Sequence, residues 1–579
     1  MSLEVGLEVG AGVWIRCPEQ VWRPGDVVQL NGETALSGNV VVEARSTHGR
    51  TEKVEVQSIN SKDGTSLLLL RNEDLKTREG ARAAHDLARL TVLNEAEILH
   101  ALQERFDSGV VYTSTGPILL AVNPFRELPD LYSQARLQEY VDLATDEDVV
   151  VPHIFSTSRA AYQGVQQHAL PQTVLVSGES GAGKTETTKF VMRYLALAGV
   201  GCAEESLSKI EHQVLDSIPL LEALGNAKTL RNHNSSRFGK YIELHFASPP
   251  DSQVARLVGA HMRTYLLEKV RVTSLQKGER SYHIFYQVLA AAARESVSQT
   301  CVERGGDLKF GDTDLRGISG LQPQDFAYLR SSQCFSLAGG IREDHSRYSR
   351  SDPMPPRAFI NQYLTPANGN TCQGDEEEAQ NFDKVVEALS SLDIVGKDVT
   401  EVLSAIIAVL HIGNIAFKSP VAECSEVDEE EKSGSLGIAC RLLGVSQKAF
   451  SSACCTKTRT TRDGLIRSPI SVAKAVESRD ALARHLYGAI FAHIVMQVNI
   501  ALKVTGNLEK GFSALPFVGV LDIFGFEFFE LNSFEQLCIN YTNELLQQYF
   551  NEVIFEHEES LYTREGIQWD PLDFPNNSA

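Results

Sequence analysis

One octapeptide constrains this chain more than any other feature. Gly178-Glu179-Ser180-Gly181-Ala182-Gly183-Lys184-Thr185 satisfies the pattern GxxxxGK[ST], follows the β-prone run Thr173 to Val176, and precedes a helix-forming stretch reaching Leu197. In that strand–loop–helix setting, glycines let successive backbone N–H groups turn toward phosphate oxygens, and the helix N-terminus favours an anion. Lys184 supplies charge to the outer phosphates, and Thr185 a hydroxyl for Mg²⁺. A ligand-free tight turn is the competing reading, but such turns rarely carry both Lys and Thr at these offsets.

The rest of the chain is long enough to build a fold around that loop. Its 579 residues, 43% hydrophobic and 22% charged, have globular composition and room for several cores. With 75 acidic against 54 basic side chains the net charge is −21, which argues against wholesale binding to nucleic acid or anionic lipid. Ten cysteines without a CxxC pair point to a reducing compartment, and the first residues lack the basic and apolar regions of a secretory signal. The longest apolar stretches, such as Val402 to Leu410, fall short of the ~20 residues a bilayer requires, so no direct membrane insertion is expected.

Residues 12 to about 70 alternate short β-prone runs (Val13 to Ile15, Val27 to Leu30, Val40 to Val42, Val54 to Val56) with turn residues, predicting a small antiparallel barrel. Apolar positions from Asp86 to Phe106 keep roughly helical spacing, and Val110 to Tyr112 and Ile118 to Val122 flank a Thr115-Gly116-Pro117 turn, predicting a hairpin. Helix-like and strand-like segments then alternate, with strands at Tyr241 to Phe246 and Val518 to Ile523, so the core is expected to be α/β. The acidic clusters Asp375 to Glu378 and Glu426 to Glu431 read as solvated segments. No internal repeat is found beyond the LEVG doublet at Leu3 to Gly10. Past Phe529 a helix is predicted whose stripe Leu537, Tyr541, Leu545, Tyr549 and Val553, joined by Leu546, Phe550 and Ile554, should pack along one side.

Two further constellations carry chemistry. Asn232-His233-Asn234-Ser235-Ser236-Arg237-Phe238-Gly239-Lys240 leads directly into a strand, and alone it reads equally as a capped loop. Leu521-Asp522-Ile523-Phe524-Gly525-Phe526-Glu527 ends a buried-looking strand in an acid suited to Mg²⁺, although a strand-end Asp in isolation is more often a turn residue.

In this order and separation, GESGAGKT, NxNSSRFGK and DIFGFE resemble the phosphate loop and two switches of a myosin motor domain. The resemblance continues through Asn123-Pro124-Phe125, Leu221 to Thr229, Tyr265-Leu266-Leu267-Glu268-Lys269, Tyr282 to Gln287, Val409 to Ile415, Arg479 to Ala483 and the relay-helix segment Leu537 to Glu544. Kinesins have different switch sequences. The implied fold is a P-loop NTPase core, a mixed twisted sheet flanked by helices, with large helical insertions. A small β-barrel at residues 1–70 would precede an incomplete motor domain at 71–579.

The resemblance also implies roles. The amides of Gly178, Glu179, Ser180, Gly181, Ala182 and Gly183 with Lys184 would hold the phosphates of ATP, joined by Asn232 and Ser235; Thr185 and Ser236 would ligate Mg²⁺, and Asp522 would hold a Mg²⁺-bound water. Arg237 and Glu527 would form a salt bridge closing behind the γ-phosphate, where the Gly525 amide also makes contact and Glu527 helps to position water. Asn123 and Tyr132 would meet the adenine side. Trp569 occupies the place of the relay-loop tryptophan, though the residue pattern alone reads it as a packing anchor. The expected activity is an actin-activated Mg²⁺-ATPase in the cytoplasm, on the actin cytoskeleton, with filamentous actin as partner.

Several departures qualify the resemblance. Ala579 falls just past the relay loop, so the basic surface loop, thiol helix, converter, lever and tail, through which light chains and cargo would bind, are not in this sequence. One central strand of the family's seven-stranded sheet belongs to that part, beside the strand feeding the phosphate loop, and a gap is expected there. His233 replaces a small polar residue, Leu545 a basic one, and Gly464, with Asp463 adjacent, stands where an actin-contacting loop usually has an acidic or phosphorylatable residue. The alternative to a motor is a non-motile nucleotide-binding or actin-interacting protein; a metabolic P-loop kinase has no acceptor-site motif in its favour.

Overall fold

In the computed structural model the described residues are 9–17, 21–31, 39–45, 51–56, 68–72, 80, 84–143, 151–199, 209–248, 254–293, 323–330, 373–421, 424–428, 434–461, 464–503, 515–528 and 532–569. The acidic residues Glu429 to Glu431, Asp463 and the final ten residues lie outside them. The chain divides into two compact units, Met1–Thr157 and Ser158–Ala579.

In the first unit, strands β1 (Gly12–Cys17), β2 (Val21–Asn31), β3 (Asn39–Arg45), β4 (Thr51–Val56) and β5 (Leu68–Leu70) form an antiparallel sheet in the order β4-β3-β2-β1-β5. Alternation places Val13, Ile15, Val27, Val40, Val42 and Leu68 on one buried face. Among the described residues this is an open sheet rather than the closed barrel expected, because β5 pairs over only three residues with β1 and β4 pairs only with β3. The long helix expected from Asp86 is interrupted. A 3₁₀ turn at Leu87–Arg89 is followed by α1 (Glu95–Asp107), which starts afresh where the Asn94 side chain accepts from the Glu97 amide. The hairpin forms as predicted, β6 (Tyr112–Thr115) against β7 (Ile118–Ala121).

The second unit is built on a four-stranded sheet of β8 (Gln172–Val176), β9 (Gly239–Ala247), β10 (Arg256–Tyr265) and β11 (Phe517–Asp522), in the order β10-β9-β11-β8. β8 and β11 run parallel and the other pairs antiparallel. Val174, Leu244, Phe246, Val518 and Val520 are buried at its centre. Around it lie α2 (Lys184–Leu197), α3 (Lys209–Gly225), α4 (His283–Ala293), α5 (Gln373–Ser391), α6 (Lys397–Asn414), α7 (Val472–Ala501) and α8 (Phe534–Glu565). From Ile406 to Ile412 every residue of α6 is buried, as its unbroken apolar run requires.

The two edges of this sheet differ. On β10 the Asn499 side chain of α7 brackets Met262, accepting from its N–H at 2.7 Å and donating to its carbonyl at 2.9 Å, so that edge is capped. β8 pairs only with β11 among the described residues. Two sequence expectations are corrected. Glu378 is not solvated but buried within α5, 2.7 Å from Arg280. The α8 stripe Leu537, Tyr541, Leu545, Tyr549 and Val553 faces outward, each at least 46% exposed, because the helix packs through its Gln536, Ile539 and Asn543 face instead. Among the described residues no helix is long and apolar enough to cross a membrane.

Core and stripe should therefore respond differently to truncation. Leu244→Ala should lower the unfolding free energy by about 2–5 kcal/mol, whereas Leu537→Ala should change it by less than about 0.5 kcal/mol, as read by denaturant titration.

Candidate active site

Sheet register brings the three motifs together. Val176 pairs with Asp522, and Asp522 with Lys240, so the end of β8, the end of β11 and the start of β9 form one row across the sheet. The phosphate loop, the Asp522–Glu527 segment and the Asn232–Lys240 segment are consequently neighbours at that end.

The phosphate loop curls through left-handed backbone at Gly181 (φ 87°) and Gly183 (φ 93°), the latter capping α2. Lys184 opens the helix and folds back, its Nζ donating to the carbonyls of Gly178 and Glu179 at 2.8 Å each. Burial pushes the Lys184 ammonium below its ordinary value, against the opposing pull of Asp522, Glu527 and Glu179. Gly181 lies beside Arg231 and Asn232, and an added Cβ there would sit 3.8 Å from the Arg231 carbonyl. The Ala182 N–H closes the turn on Glu179 O at 3.1 Å.

At the foot of the loop Thr185 Oγ1 donates to Asp522 Oδ2 at 3.2 Å, and Lys240 Nζ lies 3.1 Å from the same oxygen. A hydroxyl and a carboxylate at one corner are the hard oxygen donors Mg²⁺ takes when phosphates and water complete its shell. No group of three or more His, Cys, Asp or Glu is placed to hold a metal by itself among the described residues. Ser236, expected with Thr185, instead donates to the carbonyl of Phe238 at 2.7 Å.

The expected switch pair is joined. Arg237, fully buried, meets Glu527 through both terminal nitrogens, Nη1 to Oε1 and Nη2 to Oε2, the second at 3.0 Å. Ser235 Oγ accepts from Nη1 at 3.2 Å. Asn232 turns its amide onto the Asn234 backbone at 3.1 and 3.2 Å, shaping the loop ahead of Arg237. Gly525 is pressed so closely on the phosphate loop that a Cβ would lie 2.0 Å from Gly178 O, leaving room for no other residue.

Asn123 and Tyr132 lie in the first unit. Asn123 Oδ1 accepts from the Phe125 N–H at 2.9 Å, and the Tyr132 hydroxyl pairs with that of Tyr112 at 2.9 Å, beside His153. Burial holds His153 down at about 4, so it is neutral at physiological pH.

Several residues of the site were quoted in the sequence motifs without a role. Glu268 accepts from Arg237 Nε at 2.7 Å and from Arg271 Nε at 2.6 Å, and Arg271 reaches Glu279 at 2.9 Å, so the switch bridge is one end of a buried chain of alternating charge. From α8, Asn540 brackets Glu527 with two backbone hydrogen bonds of 2.9 Å, Asn543 donates to Phe524 O at 2.8 Å, and Gln536 Nε2 reaches Glu527 Oε2 at 3.3 Å. Gln536 also accepts from the Ser533 N–H at 2.9 Å, so the same side chain caps the helix and touches the switch. Polar residues on an otherwise apolar helical pattern were the available signal.

Burial alone would raise the Glu268 carboxyl, but Arg237 and Arg271 outweigh it and hold it at about 2. Depressed below its unfolded value of about 4, it contributes stability that is complete above that pH and is lost as pH falls toward 2. Glu268→Gln should be less stable than wild type at pH 7, and its stability should decline less steeply from pH 4.5 to 2, measured as urea midpoints across that range.

The profile of the Myosin head (motor domain) family matches residues 84–579. Myosin-6 of Arabidopsis thaliana is 35% identical over 570 residues, covering 98% of this chain and 32% of that protein. Myosin-9 of Arabidopsis thaliana is 36% identical over 573 residues, covering 98% of this chain and 31% of that protein. The chain thus spans about a third of the length of these relatives. With a family match over most of its length, the chain belongs to the myosin head (motor domain) family.

Proposed function

We propose that this chain is the nucleotide-hydrolysing part of an actin-based motor, in which Mg²⁺-ATP binding and hydrolysis are tied to switch closure, movement of α8 and release of actin. The observation that carries this reading is the buried two-point contact of Arg237 with Glu527, held from behind by α8.

In this reading Lys184 exchanges the Gly178 and Glu179 carbonyls for phosphate oxygens, and the loop amides bind the remainder. Thr185, with Asp522 through water, would hold a Mg²⁺ that supplies charge to the outer phosphates, and Ser236 would join them on giving up its bond to the Phe238 carbonyl. Phosphoryl transfer needs chiefly positioning and charge stabilisation. Glu527, oriented by Arg237 and Gln536, positions the attacking water, and the Gly525 amide, close beside Gly178, would contact the γ-phosphate. Because Asn540 and Asn543 grip the backbone on both sides of Gly525, displacement of this segment must be transmitted to α8. Filamentous actin is the proposed track, and the cytoplasmic actin cytoskeleton the proposed location.

A second reading, a non-motile protein that binds nucleotide and actin, is favoured by one observation: the apolar stripe of α8 has no cover among the described residues. Co-sedimentation with filamentous actin separates the two, since a motor head releases actin on adding ATP and a non-motile binder does not.

The assigned roles have their own test. Mg²⁺-ATP at 100 times its dissociation constant should add about 2.7 kcal/mol to the unfolding free energy of the wild type. Lys184→Ala should abolish that gain. Glu527→Ala should keep it while losing hydrolysis, and normal phosphate release by either variant would refute the roles.

A further inference from the structure

Lys240, in the second position of β9, stands directly opposite Asp522 of β11 in the sheet ladder, with Thr264 of β10 on its other side. Cross-strand partners carry their side chains on one face of the sheet, so the two backbones, rather than a loop, set this pair. Both residues are buried, Lys240 at 5% exposure and Asp522 at 2%. Among the described residues Asp522 is the one acid within ion-pair distance of Lys240, Nζ to Oδ2 at 3.1 Å.

That oxygen is shared. Oδ2 also accepts from Thr185 Oγ1 at 3.2 Å, so the carboxylate oxygen nearest the hydroxyl suited to Mg²⁺ already faces an ammonium. Lys184 feels the charge of Asp522 as well, but its Nζ is held by the carbonyls of Gly178 and Glu179, and in the proposed function it passes to phosphate. Glu527 is engaged by Arg237 and offers Lys240 no alternative.

Charge then gives Lys240 two effects of opposite sign. In the metal-free site a buried carboxylate requires a counter-ion, and Lys240 supplies it. With Mg²⁺ beside Thr185, Asp522 would stand between two cations, and the ammonium would repel the metal while drawing on the same carboxylate. A neutral side chain at this position would leave Asp522 wholly to the metal and its waters.

We propose that Lys240 is a positioning residue that holds Asp522 in the metal-free site and competes with Mg²⁺ for its carboxylate, and so sets how tightly the site holds Mg²⁺. The inference rests on the reading of Thr185 and Asp522 as the Mg²⁺ corner.

Equilibrium titration of the full chain with ADP, once in Mg²⁺ and once in EDTA, gives the factor by which the metal tightens nucleotide binding, a readout independent of hydrolysis. Lys240→Met, which keeps the length of the side chain without its charge, should raise that factor at least about tenfold over the wild type. Lys240→Gln, which still donates a hydrogen bond to Asp522, should raise it too, so misfolding of the first variant does not remove the test. Lys240→Arg, which keeps the charge, should stay within about threefold of the wild type. A merely structural role would weaken both affinities alike and leave the factor where it was. In an Asp522→Asn background Lys240→Met should no longer raise it, since the carboxylate in dispute is gone. An unchanged or smaller factor in the neutral variants, an equal rise in Lys240→Arg, or the same rise in the Asp522→Asn background would each overturn the proposal. A wild type whose ADP affinity does not respond to Mg²⁺ would overturn the Mg²⁺ reading itself, and the proposal with it.

Discussion

A guanidinium without solvent contact, facing carboxylates on two sides, is the constraint on which the rest of the site depends. Arg237 is fully buried between Glu527 and Glu268, and removing one partner of such a pair typically costs about 3–5 kcal/mol because a charge is left uncompensated. Glu268 changes that cost. It keeps a carboxylate on Nε whatever Glu527 does, and Arg271, itself paired with Glu279, in turn balances Glu268. Release of the bridge to Glu527 therefore leaves Arg237 still paired with Glu268 and no bare cation, which is a property a switch needs.

The sheet supplies the alignment. Pairing of Val176 with Asp522 and of Asp522 with Lys240 brings segments more than 280 residues apart to one edge, and Gly525 allows the approach to become backbone contact. Asn540, Asn543 and Gln536 then fasten the segment to a 32-residue helix, so a small displacement at the phosphate loop has a long rigid element to act on. On the face opposite these polar residues the apolar stripe of α8 is exposed among the described residues.

How much of this was legible depended on how local the signal was. The phosphate loop, the flanking strands and the Arg237–Glu527 pair follow from short motifs whose chemistry fixes their neighbours. Glu268 acts through residues distant in sequence, and for Asn540 and Gln536 the local signal was no more than a polar residue on an otherwise apolar helical pattern. Periodicity put Leu537, Tyr541 and Leu545 on the packed side of α8, whereas hydrogen bonds from Asn540, Asn543 and Gln536, together with buried Ile539, seat that helix on the Phe524–Glu527 segment. Charge patterning likewise missed Glu378, whose partner Arg280 lies almost a hundred residues away. The break after Leu87–Arg89 was written in Asn94, a helix-starting residue that the apolar spacing overrode.

The account rests on the forked geometry of Arg237 and not on its charge alone. Arg237→Lys keeps the cation but cannot bond Glu527 at two points while holding Glu268. Single-turnover hydrolysis, measured beside the Mg²⁺-ATP thermal shift, is the direct test. The account predicts that the shift survives through Lys184 while hydrolysis falls on the order of 100-fold; hydrolysis at the wild-type rate would contradict it.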